Sequence, residues 1–542
     1  MRNTSKAASL LAMVSIIMGA AGPARATPGD VTKSMAAPSG CVTGLTWDGR
    51  HLWVADHKTD RLTAIDRSGH VVASLPSPGH RPAGLAWDGR YLWNVDQLRN
   101  KIYRVDPRTG ITVHTMDSPV SAPTALAWDG KALWISDRRT GTLRRIDPDD
   151  GTTIRSIPAP RRSVDGLVWD GRYLFATDRL HDLIYMLEPS RGEVIFSFKS
   201  PGPFPTGIAF DGSKLYVADY ETDHIDQLVY RDRTKVQRRL IRREDITFTY
   251  QVRNYGPGTL TSMEIALALP RSEATQKLDP PLTFVSPPTL VKRDNGGLKV
   301  ALFRRRNVRA GQTVTVAWKT KVALYSVRHY VFPDTIGPLS AIPTTIRRKY
   351  LRNDRKYSIT DPIIKKAVRQ AVGRQRNPYW MARRIFRYIH KKMHYELAGG
   401  WNTAPRVLAR GSGSCSEYSF VFISMCRAAG IPARYVGSIV RRRDNASWDD
   451  VYHRWVEIYL PGHGWLPVDP SRGDKPTQAQ RGDAFFHLTA DFVITTRSPG
   501  PSRYLDWSYN GMARWQCRGR CKVEEENIAE WSPRRRPSHR RR

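Results

Sequence analysis

The chain has 542 residues, with 86 Lys and Arg against 50 Asp and Glu and a formal net charge of +36. One hydrophobic core does not usually grow that large, so several domains are expected. Five cysteines are too few for a disulfide-built scaffold, and no nucleic-acid-binding motif accompanies the basic charge.

The first residues read as an export leader, spanning 1–26. Arg2 and Lys6 form a basic start, Ala7 to Ala21 is a short and mostly apolar run, and Ala24-Arg25-Ala26 fits a cleavage site. Cleavage would take the formal charge from +36 to +33, by loss of Arg2, Lys6 and Arg25. No later apolar run is long enough to cross a membrane, so a periplasmic or extracellular protein is expected. Arginine clusters at Arg304-Arg305-Arg306, Arg441-Arg442-Arg443, Arg534-Arg535-Arg536 and Arg540-Arg541-Arg542. A surface of this kind suits an anionic envelope polymer or an acidic protein as partner, and equally a role in solubility alone.

A repeat follows. Trp47-Asp48-Gly49, Trp87-Asp88-Gly89, Trp128-Asp129-Gly130, Trp169-Asp170-Gly171 and Phe210-Asp211-Gly212 recur at intervals of 40, 41, 41 and 41 residues. Each unit has room for four short strands, the content of a propeller blade, and Asp-Gly is hairpin-turn chemistry. Each aromatic is followed nine residues on by an aspartate: Asp56, Asp96, Asp137, Asp178 and Asp219. These are expected to satisfy backbone groups at strand ends rather than to form a ligand ring. Residues 31–36 carry the pattern of a fourth strand yet precede the first full unit. They are therefore expected to complete the last blade of a five-bladed ring over residues 30–232, with six blades as the alternative. The repeats resemble NHL-type propellers, which implies a binding platform without chemistry of its own.

Residues 233–244 read as a charged linker. From Asp245 the period is two, and residues 240–328 are expected to form a small β-sandwich. An α+β domain is expected over 345–500, and 501–542 is expected to be a C-terminal extension with a basic tail. A helix from Asp361 to Val372 leads to a stronger one capped by Asn377, with Ala382, Ile385, Phe386, Ile389 and Met393 on its buried face. His390 and His394 lack the partners of a metal pair, and no cofactor is expected.

The chemistry centres on Gly411-Ser412-Gly413-Ser414-Cys415-Ser416-Glu417, a glycine turn running into a helix. Ser414 and Glu417 have the spacing of a capping box, which sets Cys415 at the first helical position. Free N–H groups and the helix dipole favour an anion there, so the thiol should be a good nucleophile. Downstream, His453 lies in an alternating strand, a turn falls at Pro461-Gly462-His463-Gly464, and Asp469 ends the following strand. A hairpin about Gly462 brings His453 and Asp469 to the same end of neighbouring strands. Nucleophile, base and orienting carboxylate are the parts of an acyl-transfer site. Cys426 falls on the core face of the same helix and is expected to be inert packing. Cys517 and Cys521 are close enough in sequence for a local disulfide.

Arg410-Gly411, Cys415-Ser416-Glu417-Tyr418, Arg427 to Arg434, His453-Arg454-Trp455-Val456-Glu457, Trp465 and Val468-Asp469-Pro470 together resemble the transglutaminase-like superfamily of papain-type cysteine enzymes. The resemblance covers roughly residues 375–475 and implies Cys415 as nucleophile, His453 as base and Asp469 as carboxylate. For the oxyanion it leaves two candidates, the backbone N–H of Cys415 and Trp401. It implies thioester chemistry on a protein or peptide substrate, with hydrolysis favoured over transfer to an amine. A non-catalytic envelope-binding protein with a relict triad is the alternative from another class.

Overall fold

In the computed structural model, residues 26–231, 235–279, 282–294, 296–397, 401–441, 448–449 and 452–533 are described. Most of the expected leader, Arg442 and Arg443, and the arginines from 534 onward lie outside the described residues.

The Trp-Asp-Gly units fold as five four-stranded antiparallel sheets, and the first strands of successive blades pack against one another in ring order. Val31–Ala36 pairs antiparallel with His224–Val229 and supplies the fourth strand of the last blade. The ring therefore has five blades and is closed by its own N-terminal strand. The repeat residues explain why each blade forms. Gly49 adopts φ +98°, as the turn requires. Asp48 then accepts the N–H groups of Arg50 and His51 at 2.7 and 2.6 Å and the Trp53 indole N–H at 2.8 Å. Asp56 accepts the N–H groups of Lys58 and Thr59 at 2.8 and 2.7 Å, and that of Cys41 at 3.1 Å. Asp219 does the same for Glu221, Thr222 and Phe204. These aspartates cap strand ends, each within reach of its own blade.

Behind the propeller, β1 (Val236–Ala268) runs for 33 residues. Its first half pairs with β3 (Thr313–His329) and its second half with β2 (Lys299–Val308). The Gly511–Pro533 strand lies along its other edge, so the C-terminal segment completes this sheet and does not trail from it. The sheet folds over at a corner. Asn254 holds that corner by donating to Gly258 O and Val308 O at 2.9 and 3.0 Å, and a Cys517–Cys521 disulfide spans the facing strand. Phe248, Met263, Phe303, Trp318 and Trp531 fill the space between the two layers.

The α+β domain contributes α1 (Pro362–Val372), α2 (Pro378–Lys392), α3 (Ala404–Arg410) and α4 (Cys415–Ala428). Asp361 caps α1 and Asn377 caps α2, both through side-chain acceptance of N–H groups. The helices pack on a four-stranded sheet of β4 (Ala433–Val440), β5 (Tyr452–Leu460), β6 (Gly464–Val468) and β7 (Phe492–Ser498), in the order β6-β5-β4-β7. One apolar cluster runs from blade four (Phe196, Phe198) through Tyr330 and Phe332 to Ile385, Phe422 and Phe485. The propeller is thereby docked onto the α+β domain through a shared core. Arg383 of α2 reinforces the seam by donating to Val194 O at 2.6 Å.

Candidate active site

Local sequence sets the nucleophile. α3 ends at Gly411, whose φ of +80° turns the chain back, and Ser412-Gly413 then pairs with His394-Tyr395. Ser414 caps α4 and Cys415 begins it. Glu417, buried in the first turn, accepts the Ser414 N–H at 3.3 Å, the Asn402 N–H at 3.1 Å and Arg410 Nη2 at 2.7 Å. One carboxylate thus ties the loop before the cysteine, the end of α3 and the helix start together.

The base and its carboxylate come from the β5–β6 hairpin. Val456 pairs with Val468, which leaves His453 and Asp469 at the same end. His453 Nε2 lies 2.7 Å from Asp469 Oδ2. The imidazole packs against Trp455 and Phe492, with centroids at 5.9 and 5.6 Å. Asp469 is itself held, accepting the Ser471 hydroxyl at 2.7 Å and N–H at 3.1 Å and pairing with Arg472 Nε at 3.1 Å. With Nε2 committed to Asp469, Nδ1 is the ring nitrogen left to take a proton from sulfur.

Burial would raise the Cys415 thiol pKa, but the adjacent His453 ring and its charge, then the backbone N–H and charge of Arg454, pull it below the ordinary thiol value. Burial would likewise lower His453; the charge and hydrogen bond of Asp469, followed by Cys415, outweigh it and raise the imidazole to about 10. For Asp469 burial is again overcome, by the His453 charge and hydrogen bond and then by Arg472 and Ser471, and its pKa falls to about 2. All three directions favour a thiolate–imidazolium pair oriented by a carboxylate. Cys426, fully buried further along α4, is pushed well up by desolvation.

The expected residues Cys415, His453 and Asp469 converge. The Trp401 ring covers the Arg454 guanidinium at 5.0 Å and leans on Tyr509 at 6.3 Å. The group against the Cys415 backbone N–H is the Tyr395 hydroxyl. Tyr509 lies against Ser416 and feels the Cys415 charge. Neither tyrosine was among the expected site residues, because only the folded chain brings them to α4. A cleft of about 380 Å³ opens beside Tyr509, lined by Trp401, Tyr452, Trp507 and Glu525 among others. Among the described residues no group of three or more His, Cys, Asp or Glu side chains is placed to hold a metal ion. His390, weighed above as a metal ligand, has both ring nitrogens against carbonyls, those of Phe386 and Pro470 at 2.8 and 2.7 Å.

A thiol at a helix start, backed by a histidine–carboxylate hairpin, defines a papain-type cysteine site. Residues 365–470 match the family model of the transglutaminase-like superfamily. A Pseudomonas aeruginosa protein named protein-glutamine gamma-glutamyltransferase is 35% identical over 19% of this chain and 17% of its own length. An uncharacterised Haemophilus influenzae protein is 28% identical over 25% of this chain and 46% of its own. The chain therefore spans less than half the length of these relatives. A proposed cysteine protease from Cytophaga hutchinsonii, at 15% identity, aligns with 55% of this chain and all of its own at a TM-score of 0.39, too low to bear on function. The chain thus joins a domain that matches this superfamily's model to a β-propeller.

Proposed function

We propose that the protein is an exported cysteine acyl-transfer enzyme that cleaves amide bonds of proteins or peptides, with water as the usual acceptor. The observation that carries this is the Cys415–His453–Asp469 arrangement, in which each group's surroundings favour its working charge state. The Cys415 thiolate attacks the amide carbonyl carbon and a tetrahedral oxyanion forms. The C–N bond then breaks and His453 gives its proton to the leaving amine, leaving a thioester on Cys415. His453 next takes a proton from water as the water oxygen attacks, and the carboxylic acid leaves with the thiolate restored. The Cys415 N–H and the Tyr395 hydroxyl beside it are the groups we assign to the oxyanion. Transfer to an amine is the second reading, favoured by the name of the Pseudomonas aeruginosa relative.

The propeller serves as a platform for substrate or partner. A cavity of about 600 Å³ at its seam with α2 is lined by Arg191, Arg387, Lys391, Lys475 and Arg481 along with Glu193 and Asp474, which suits an anionic polymer or acidic protein. Export rests on the character of residues 1–26. No helix among the described residues is long and apolar enough to cross a membrane.

Limiting alkylation across pH tests the nucleophile. Cys415 is expected to react well below the pH at which a free thiol does, and Cys415→Ala to remove the signal. Equal labelling of Cys415 and Cys426 in the native protein would end this reading. Glutamine-containing peptides supplied with and without a primary amine then separate hydrolysis from transfer.

A further inference from the structure

Arg454 follows the histidine in β5 and is completely buried. Among the described residues, two other arginines of this domain are buried, and both are provided for. Arg383 pairs with Glu193 and donates to Val194 O. Arg427 donates through all three nitrogens, to the carbonyls of Ala433, Arg352 and Pro499. Arg454 differs. Its Nη2 donates to Trp507 O, while Nε and Nη1 have no hydrogen-bond partner among the described residues. Among the described residues no carboxylate pairs with it. Four rings surround the guanidinium instead, with Tyr509 at 4.5 Å, Tyr435 at 4.6 Å and Trp401 and Phe420 at 5.0 Å. Ring faces attract a cation but do not neutralise it. A charge desolvated in this way is costly to keep unless something draws on its field.

What lies next to it is the nucleophile. The backbone N–H of Arg454 lies against the Cys415 thiol. The Ser419 hydroxyl, one turn into α4, is 2.8 Å from Cys415 O and 3.3 Å from Arg454 O, which bolts the first turn of the helix to this point of β5. The aromatic cage excludes water, so the field of the cation is weakly screened. The other charged or titratable groups around Cys415 are His453, Asp469, Tyr395, Tyr509 and Glu417, and the last is already paired with Arg410.

We infer that Arg454 is an electrostatic positioning residue, an unneutralised buried cation whose field reaches Cys415 and holds the sulfur in its anionic, nucleophilic form. The inference rests on the reading of Cys415 as nucleophile. It gives His453 and Arg454 separate tasks: the imidazole moves the proton, and the guanidinium supplies a charge that does not change through the cycle.

The test compares wild type, Arg454→Met, Arg454→Lys and Arg454→Gln in the full chain, by the rate of Cys415 alkylation across pH and by thermal unfolding. Arg454→Met is expected to move the acid limb of the alkylation profile upward by about one pH unit or more. Reactivity below the limb then falls about tenfold. The melting temperature should hold or rise, since an unpaired buried charge has been removed. Arg454→Lys should keep the limb nearer wild type than Arg454→Gln does, and that pair decides the matter if the Met variant does not fold. Fast wild-type alkylation with the limb unmoved in Met and Gln variants would overturn the role of Arg454 alone. A wild-type Cys415 no more reactive than Cys426 would overturn the nucleophile reading beneath it.

Discussion

α4 carries two buried cysteines, one at its first residue and one near its last turn, and their surroundings push them in opposite directions. Both lose water, which by itself raises a thiol's pKa. Cys415 regains more than it loses, because His453, the Arg454 N–H and the Arg454 charge converge on it. Cys426 meets apolar side chains and has only Arg427 as a charge to set against its desolvation. Burial therefore does not decide reactivity. Two sulfur atoms on one helix differ through what the rest of the fold delivers to each end.

The largest break in this comparison comes from alanine. Cys415→Ala is expected to cost on the order of 10⁶ in kcat, leaving only the residual turnover of an intact binding site. Cys426→Ala should leave kcat within a small factor of wild type. Steady-state kinetics on a substrate found by the peptide screen checks both, and equal losses would show that the two ends are not functionally distinct.

Asp469→Asn comes next, with an expected loss of roughly 10³–10⁴ in kcat. The pH profile sharpens the cause. His453 has its folded pKa raised to about 10, so the imidazolium that protonates the leaving group persists through neutral pH and is lost as pH rises through that value. The stability its pairing contributes follows the same course, complete below the ordinary histidine pKa and gone above about 10. Asp469, lowered to about 2, remains ionised across this range. Removing its charge should drop the alkaline limb toward about 7, the ordinary imidazole range. A limb that stays near 10 in the Asn variant would assign the shift to other groups.

Much of this was legible along the chain because it is local. Asp48 needs Gly49 next to it in the chain and Trp53 within its own hairpin, so each repeat announces its blade. The Ser414–Glu417 spacing fixed Cys415 at a helix start, and the turn at Gly462 placed His453 opposite Asp469. What could not be read depends on distant segments meeting. The Gly511–Pro533 strand alternates no differently from a loose tail until β1 is there to pair with it. Tyr395 reaches Cys415 only through the His394–Ser412 bridge, and Tyr509 arrives from beyond the catalytic sheet. Arg454 did leave a trace. Strand alternation sets it on the face of Val456 and Ile458, where a charge is out of place.

At the Cys415 end, Glu417→Gln removes the charge that Arg410 answers and weakens the acceptor for two N–H groups. A loss of about 1–3 kcal/mol is expected, with slower alkylation of Cys415 as the helix start loosens. Denaturant titration read beside alkylation checks the pairing of the two effects. Lost stability with unchanged alkylation would mean that the capping carboxylate does not position the sulfur.

The smallest effect reverses the first. Cys426 fills its place in the core, so alanine there removes one buried sulfur and leaves part of its volume empty, at a cost of about 1 kcal/mol. The sulfur of Cys415 is held as one half of a desolvated ion pair, and replacing it removes a charge the fold keeps for chemistry. Its alanine variant should unfold no more easily than wild type. The same substitution at the two ends of α4 thus exchanges its consequences, with activity lost and stability kept at one end and the opposite at the other. Chemical unfolding of both variants, measured with the kinetics, decides this. A Cys415→Ala protein less stable than Cys426→Ala would mean that the sulfur at the helix start is there for packing.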